Sequence, residues 1–358
     1  MPVEPALAEI APRLLAHYDR HARTLPWRAP PGASLPDPYR VWLSEIMLQQ
    51  TTVAAVAPYF MGFTARWPTV EALAAADDAD VMAAWAGLGY YARARNLLAC
   101  ARVVAGTHRG RFPDSEEGLR TLPGVGAYTA AAIAAIAFGR RAVVIDANVE
   151  RVVARLFNIG TPMSSARAEI RIAADAITPD ERSGDFAQAM MDLGATICVP
   201  RAPACLACPL SSRCAGLASG DPARLPVKGV KRARPHRMGH AWWIERADGH
   251  VWLTRRPDKG LLGGMRALPS SDWGVDPPAV PPLPAQWRVL PGPVEHVFTH
   301  FSLALTVHSA CVPQGCVPPG AGEWWPLARI EEAGLPTLFR RAVEKAMDER
   351  RADARQEQ

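Results

Sequence analysis

Two carboxyls, one phenol and four thiols carry most of the chemistry this sequence offers. Glu45 lies in YRVWLSEIMLQQT (39–51), a helical pattern in which it faces Val41 and Trp42 one turn back and Leu48 and Gln49 one turn ahead. Apolar surroundings disfavour ionisation, so a glutamic acid there can keep a proton near neutral pH and deliver it; an exposed Glu at the edge of an amphipathic helix is the other reading of the same residues. Asp146 follows Gly126 by twenty residues and precedes Val149, Val152, Val153, Leu156 and Phe157, apolar positions at helical spacing. It reads either as a helix N-cap, a role open to Asn148 as well, or as a carboxylate set beside an anchored backbone. Cys198, Cys205, Cys208 and Cys214 stand as C-x6-C-x2-C-x5-C, four of the seven cysteines within seventeen residues. Such clustering suits a metal site better than a disulfide framework, and the spacing alone accommodates zinc or an iron-sulfur cluster. Cys100, Cys311 and Cys316 have no comparable pattern and read as ordinary packed thiols.

These groups must be positioned by the elements around them. LPGVGAYTAAAIAAIAFGRRAVVIDANVERVVAR (122–155) opens on a Gly124-Val125-Gly126 turn, which leaves backbone N–H groups free at the start of the Ala-rich helix over 127–138, where a phosphate is stabilised. A plain helix hairpin with glycine in the turn fits the same residues. GLGYYARARN (87–96) predicts a tight turn presenting Tyr90 and Tyr91, with Arg93 and Arg95 in reach of phosphates; core packing of the tyrosines is the other reading. An amphipathic helix is expected from Pro5 to about His21 on Leu7, Ile10, Leu14 and Leu15.

With 358 residues, 49% of them hydrophobic, the chain can bury two cores. A net charge of +5 has the sign a polyanion binder needs. Between Asp221 and His240 six Lys or Arg (Arg224, Lys228, Lys231, Arg232, Arg234 and Arg237) face one acid, either a solvated linker or a strap along DNA. No apolar segment is long enough to span a bilayer and no signal peptide opens the chain, so a cytoplasmic protein with no membrane partner is expected.

LPGVGAYTA followed by VIDANVERV resembles the helix-hairpin-helix DNA glycosylases, over roughly Leu25 to Cys214. In that superfamily a lysine two residues after Gly126 serves the glycosylase/lyases as a Schiff-base nucleophile. Tyr128 stands there and has no amine, so the chain resembles glycosylases without a lyase step. SEIMLQQT is similar to the motif of the adenine glycosylases of the MutY family, whose Glu protonates the departing base. The resemblance implies catalytic roles for Glu45 and Asp146 with Tyr128 and Asn148 in support. It also implies DNA contacts by Gly124 and Gly126, and insertion of Gln50 and Tyr90 into the duplex with Leu88 nearby. For Cys198, Cys205, Cys208 and Cys214 it implies a 4Fe-4S cluster.

Beyond Met238 the period changes: Ala241–Ile244, Val251–Thr254, Val294–Thr299 and Ser302–Val307 read as strands, and a last helix is expected from about Leu335 into a charged tail. GHAWWIERADGHVWLTRRPDKGLLGGMRALP (239–269) resembles the start of a Nudix-type domain but is followed by no box of clustered glutamates, so this half is expected to recognise rather than hydrolyse. Where the family reads 8-oxoguanine with Phe-Ser-His, this chain has Phe298-Thr299-His300.

The expected fold is thus multidomain. An all-α helix-hairpin-helix glycosylase domain (1–220) carries a cluster loop (198–214) and is followed by a basic linker (221–238), an α+β Nudix-like lesion-recognition domain (239–345) and a charged tail (346–358). The implied activity is removal of adenine mispaired with 8-oxoguanine or guanine in double-stranded DNA, by a monomer. A thymine-mismatch or bifunctional pyrimidine glycosylase, or an inactive iron-sulfur DNA-binding protein, are the alternatives; SEIMLQQT, Tyr128 and the two retained carboxyls argue against them.

Overall fold

In a computed structural model of the chain, residues 7–227, 234–257, 260–298 and 300–356 are described. The chain divides into two compact units, Met1–Lys231 and Arg232–Gln358.

The first unit is helical. Its helices are α1 (Ile10–His21), α2 (Pro38–Leu48), α3 (Val53–Arg66), α4 (Val70–Ala74), α5 (Asp78–Ala84), α6 (Tyr91–Gly106), α7 (Glu116–Arg120), α8 (Ala127–Phe138), α9 (Ala147–Leu156), α10 (Met163–Ile177), α11 (Ser183–Thr196) and α12 (Ala215–Ala218). Their starts are written in the sequence. Asp37, Thr52, Thr69, Asp77, Ser115 and Asp146 each cap the following helix by accepting a backbone N–H. Helix α8 is buried on every side from Thr129 to Ala137, and its small alanines let α2 and α11 approach it closely.

Two apolar clusters result. One joins α2, α3, α6 and α8 around Trp42, Phe60, Phe63 and Trp85; the other joins α1, α9, α10 and α11 around Leu14, Val153, Ile170 and Met190. Residues 221–227 belong to this unit rather than to a free connector. Leu225 is buried, its carbonyl accepts from Arg155 Nε at 2.9 Å, and the carbonyl of Val227 accepts from Met163 N at 3.0 Å.

The second unit is built on a seven-stranded sheet: β1 (His236–Arg246), β2 (His250–Arg255), β3 (Arg266–Ala267), β4 (Arg288–Val289), β5 (Val294–Val297), β6 (Ser302–Val312) and β7 (Gly322–Pro326). β1 and β6 pair in parallel from His236↔Ser302 to Arg246↔Val312; β2 is antiparallel to both β1 and β7. Alternation along β1 sends Ala241 and Trp243 to one face, under Leu338, Phe339 and Val343 of the final helix α13 (Thr337–Gln356). Trp242 and Ile244 go to the other face, with Trp252, Val312 and Trp287.

Three expectations change here. β1 begins inside the stretch read as a linker, β6 runs on to Val312, and the residues from 346 read as a charged tail continue α13 to Gln356. Among the described residues, no helix is long and apolar enough to cross a membrane.

Candidate active site

A cavity of about 860 Å³ lies between the two halves of the helical unit, lined from one half by Glu45 and from the other by Asp146 and Asn148. Tyr128, from the first turn of α8, and Trp27 also line it.

Glu45 sits on α2, whose residues from Val41 to Met47 are all buried, and is itself 6% exposed. Its Oε2 has no hydrogen-bond partner. Burial pushes its carboxyl up to about 7; the adjacent Tyr128 phenol and the Arg28 charge pull the other way, and the Asp146 charge adds to the rise. The apolar neighbours read from the sequence thus leave a carboxyl that holds its proton near neutrality, with a free oxygen. Burial also raises Tyr128 well above its usual value, and the charges of Glu45 and Asp146 raise it further, so the phenol stays protonated.

Asp146 is both of the things its sequence allowed. As N-cap of α9 it accepts from Asn148 N at 2.9 Å and Val149 N at 2.7 Å through one oxygen, and from Asn148 Nδ2 at 2.8 Å through the other. The same carboxylate lines the cavity, so the cap fixes its orientation. Asn148 is held in turn: its Oδ1 accepts from Arg151 Nη2 at 2.9 Å, and Gly194 of α11 packs so close that a Cβ there would lie 2.6 Å from that of Asn148.

Two arrangements escaped the sequence reading. Asp192 of α11, 7% exposed, accepts from Arg28 Nη1 at 2.7 Å and Arg23 Nε at 2.6 Å, which fixes the cation beside Glu45. Partners 164 residues apart leave no local signal. Arg151 and Arg155 tie α9 to the cysteine loop: Arg151 Nε donates to the Cys198 carbonyl at 2.8 Å, and Arg155 Nη1 to Cys198 Sγ at 3.3 Å and the Val199 carbonyl at 2.8 Å. Their i, i+4 spacing, three and seven residues beyond Asn148, was the available clue.

Cys198, Cys205, Cys208 and Cys214 line one small pocket together with Arg155. Among the described residues no three His, Cys, Asp or Glu come together as ligands for a single metal ion. Four thiols around one pocket are a donor set that either zinc or an iron-sulfur cluster can use.

Gln50, which lines the cavity, is exposed with φ 57°, and Tyr90 is 54% exposed with φ 51°, both left-handed. Gly124 has φ 75°, and a Cβ there would meet that of Asn96 at 2.9 Å, so the turn requires glycine. Gly126 is extended and open around its Cα, leaving the backbone accessible.

Leu88 does not stand out beside Tyr90; it is 7% exposed, within the apolar core. Arg93, read as phosphate-facing, is 9% exposed and donates inward, because the turn before α6 folds it back under the end of α2.

In the second unit Phe298 stacks on Trp273, with centroids 5.6 Å apart, and leans on Phe301. His300 is exposed, and Thr299 lies outside the described residues, as do Lys228, Lys231 and Arg232 of the basic run.

Comparison with known proteins extends this geometry. The profile of the HhH-GPD superfamily of base excision DNA repair proteins matches residues 43–174, and that of the NUDIX domain matches 240–345. Among solved structures, a thermostable thymine-DNA glycosylase superposes with a TM-score of 0.55 at 28% identity, over 61% of this chain and 100% of its own. The adenine DNA glycosylase of Mycobacterium tuberculosis is 45% identical over 232 residues, 64% of this chain and 72% of that protein. The human adenine DNA glycosylase is 34% identical over 395 residues, 92% of this chain and 72% of its own length. That likeness runs through the helical unit and the sheet unit alike, and the chain belongs to the adenine DNA glycosylase family.

Proposed function

We propose that this protein removes adenine mispaired with 8-oxoguanine, and less readily with guanine, from double-stranded DNA by hydrolysing the N-glycosidic bond. Adenine excision in base excision repair is the activity of its family. The thymine-DNA glycosylase likeness covers the helical unit, whereas the adenine glycosylases match across both units.

The observation that carries the reading is Glu45, its carboxyl pushed up to about 7 and its Oε2 without a partner, lining the same cavity as Asp146. Glu45 gives its proton to the extruded base, the bond to the sugar breaks with its electrons leaving on the base, and Asp146 stabilises the oxocarbenium-like sugar until water adds. Tyr128 keeps the Glu45 carboxyl in place and Asn148 that of Asp146. With no amine at position 128 a Schiff base has no nucleophile, so borohydride should trap no covalent adduct.

Single-turnover release of adenine opposite 8-oxoguanine, guanine and thymine, followed from pH 5 to 9, tests the reading. Release should be fastest opposite 8-oxoguanine. Since the acid form of Glu45 is the competent one and its pKa is raised, the rate should hold below about 7 and then fall about tenfold per pH unit. A rate that rises through pH 7, or no adenine release at all, would contradict it.

Cys198, Cys205, Cys208 and Cys214 would hold the 4Fe-4S cluster, which when bound supplies a rigid crosslink of the loop they share. Anaerobically prepared protein should then be brown and contain iron. Stoichiometric zinc without iron would refute the assignment.

A further inference from the structure

Arg93 spends its guanidinium on two short segments far apart in sequence. Nη1 donates to the carbonyls of Ile46 at 3.2 Å and Met47 at 2.9 Å, at the end of the helix that carries Glu45. Nη2 donates to Thr51 Oγ1 at 3.0 Å, one residue past Gln50, and to the carbonyl of Leu88 at 3.3 Å, two residues before Tyr90. The guanidinium carbon also lies over the rings of Trp85 and Tyr90, 5.4 and 5.3 Å from their centroids.

Each segment it joins carries a residue with a Cβ in the left-handed conformation, Gln50, which lines the cavity, and Tyr90. Such backbones persist only where surrounding contacts over-determine them. The turn before Tyr90 has other supports in Trp85 Nε1 to the Gly89 carbonyl at 3.0 Å and Tyr59 Oη to the Ala86 carbonyl at 2.7 Å. On the Gln50 side, Thr51 Oγ1 accepts from Arg93 and donates to the Gln49 carbonyl at 3.3 Å, Thr51 N donates to the Leu48 carbonyl at 3.2 Å, and the Gln49 side chain donates to Thr129 Oγ1 at 3.3 Å, so Arg93 supplies the tie that runs from this segment to the Leu88 turn.

We infer that Arg93 is a positioning residue, a buried clasp that fixes the spacing of Gln50 and Tyr90 so that both enter the duplex together when adenine is extruded. This rests on the reading of those two residues as the duplex-opening wedge. A planar fork reaching four oxygens with its Cζ above two aromatic rings is suited to arginine; the three tetrahedral donors of lysine reach fewer of these partners. The clasp acts on base extrusion and leaves the chemistry of Glu45 alone.

The test combines a fluorescent purine analogue at the adenine position, which reports extrusion, with single-turnover adenine excision. Arg93→Met should slow extrusion and excision together by roughly tenfold or more, with the pH midpoint of excision unmoved. Arg93→Lys should recover part of the loss. In a Gln50→Ala/Tyr90→Ala background, Arg93→Met should add less than about twofold, because the groups it positions are gone.

A full, additive loss in that background, or a shifted pH midpoint with normal extrusion, would show that Arg93 acts through the Glu45 helix and would overturn the clasp. If Gln50→Ala/Tyr90→Ala itself leaves extrusion unchanged, the wedge reading fails and the clasp with it. Should Arg93→Met not fold, Thr51→Val removes the Arg93 bond to this hydroxyl together with the hydroxyl's own bond to the Gln49 carbonyl, and should slow extrusion by about two- to threefold in the wild-type chain and by less than that when added to Arg93→Lys; unchanged extrusion in the single variant, or an equal loss in both backgrounds, overturns the proposal.

Discussion

Asp146→Asn should leave DNA binding intact and lower single-turnover excision by at least about a hundredfold, roughly 3 kcal/mol in barrier. The substitution is nearly isosteric. Its remaining carbonyl oxygen can still accept from Asn148 N and Val149 N, so the cap of α9 and the fold are expected to survive. What disappears is the negative charge that faces a sugar turning cationic.

Glu45→Gln should cost a similar factor for the opposite reason, since an amide keeps the shape and has no transferable proton. It should also erase the fall in rate above pH 7, because the group that titrates there is gone. The two losses should not add in the double variant, as both act on one bond-breaking step. Near-normal single-turnover rates in either single variant would remove that residue from the mechanism.

The residues assigned to this chemistry were legible through their own neighbours together with the resemblance of SEIMLQQT and LPGVGAYTA to the glycosylases, since local pattern alone allowed an exposed Glu45 and a merely capping Asp146. Glu45 is surrounded by apolar residues at helical spacing, and those residues are what bury it. Asp146 precedes an amphipathic helix, and Gly124 occupies a turn that no other residue type enters without strain. The four cysteines declare themselves by spacing.

What stayed hidden depends on contacts between distant segments. Arg93 stands beside tyrosines in a run that looks made for phosphates, and only the folding of α6 under α2 turns its donors inward. The same packing buries Leu88. Nothing near Asp192 in the chain says that it will hold Arg28 beside Glu45. Strand ends were misplaced for a related reason: β1 and β6 stabilise each other along eleven paired positions, which carries β1 back through His236-Arg237-Met238, residues with no strand signal of their own.

A fragment of residues 1–231 should still excise adenine yet lose most of its preference for 8-oxoguanine over guanine in the opposite strand. The cut follows the division of the fold rather than a sequence boundary at Gly220, because Leu225 and Val227 are bonded into the helical unit and tie down Arg155 and Met163. The fragment keeps both apolar cores, the cavity and all four cysteines, so catalysis opposite guanine should stay within a few-fold of the full chain.

The lost half holds Phe298, stacked on Trp273, and the exposed His300. Contacts that read one base are worth about 1–3 kcal/mol each, so the ratio of the two rates should shrink by roughly ten- to a hundredfold. Within the full chain, His300→Ala should move the ratio in the same direction by less. Because the readout is a ratio of two substrates on one preparation, a partly misfolded fragment lowers both rates and leaves the ratio intact. A fragment that discriminates as well as the full chain would place lesion recognition in the helical unit and remove Phe298 and His300 from it.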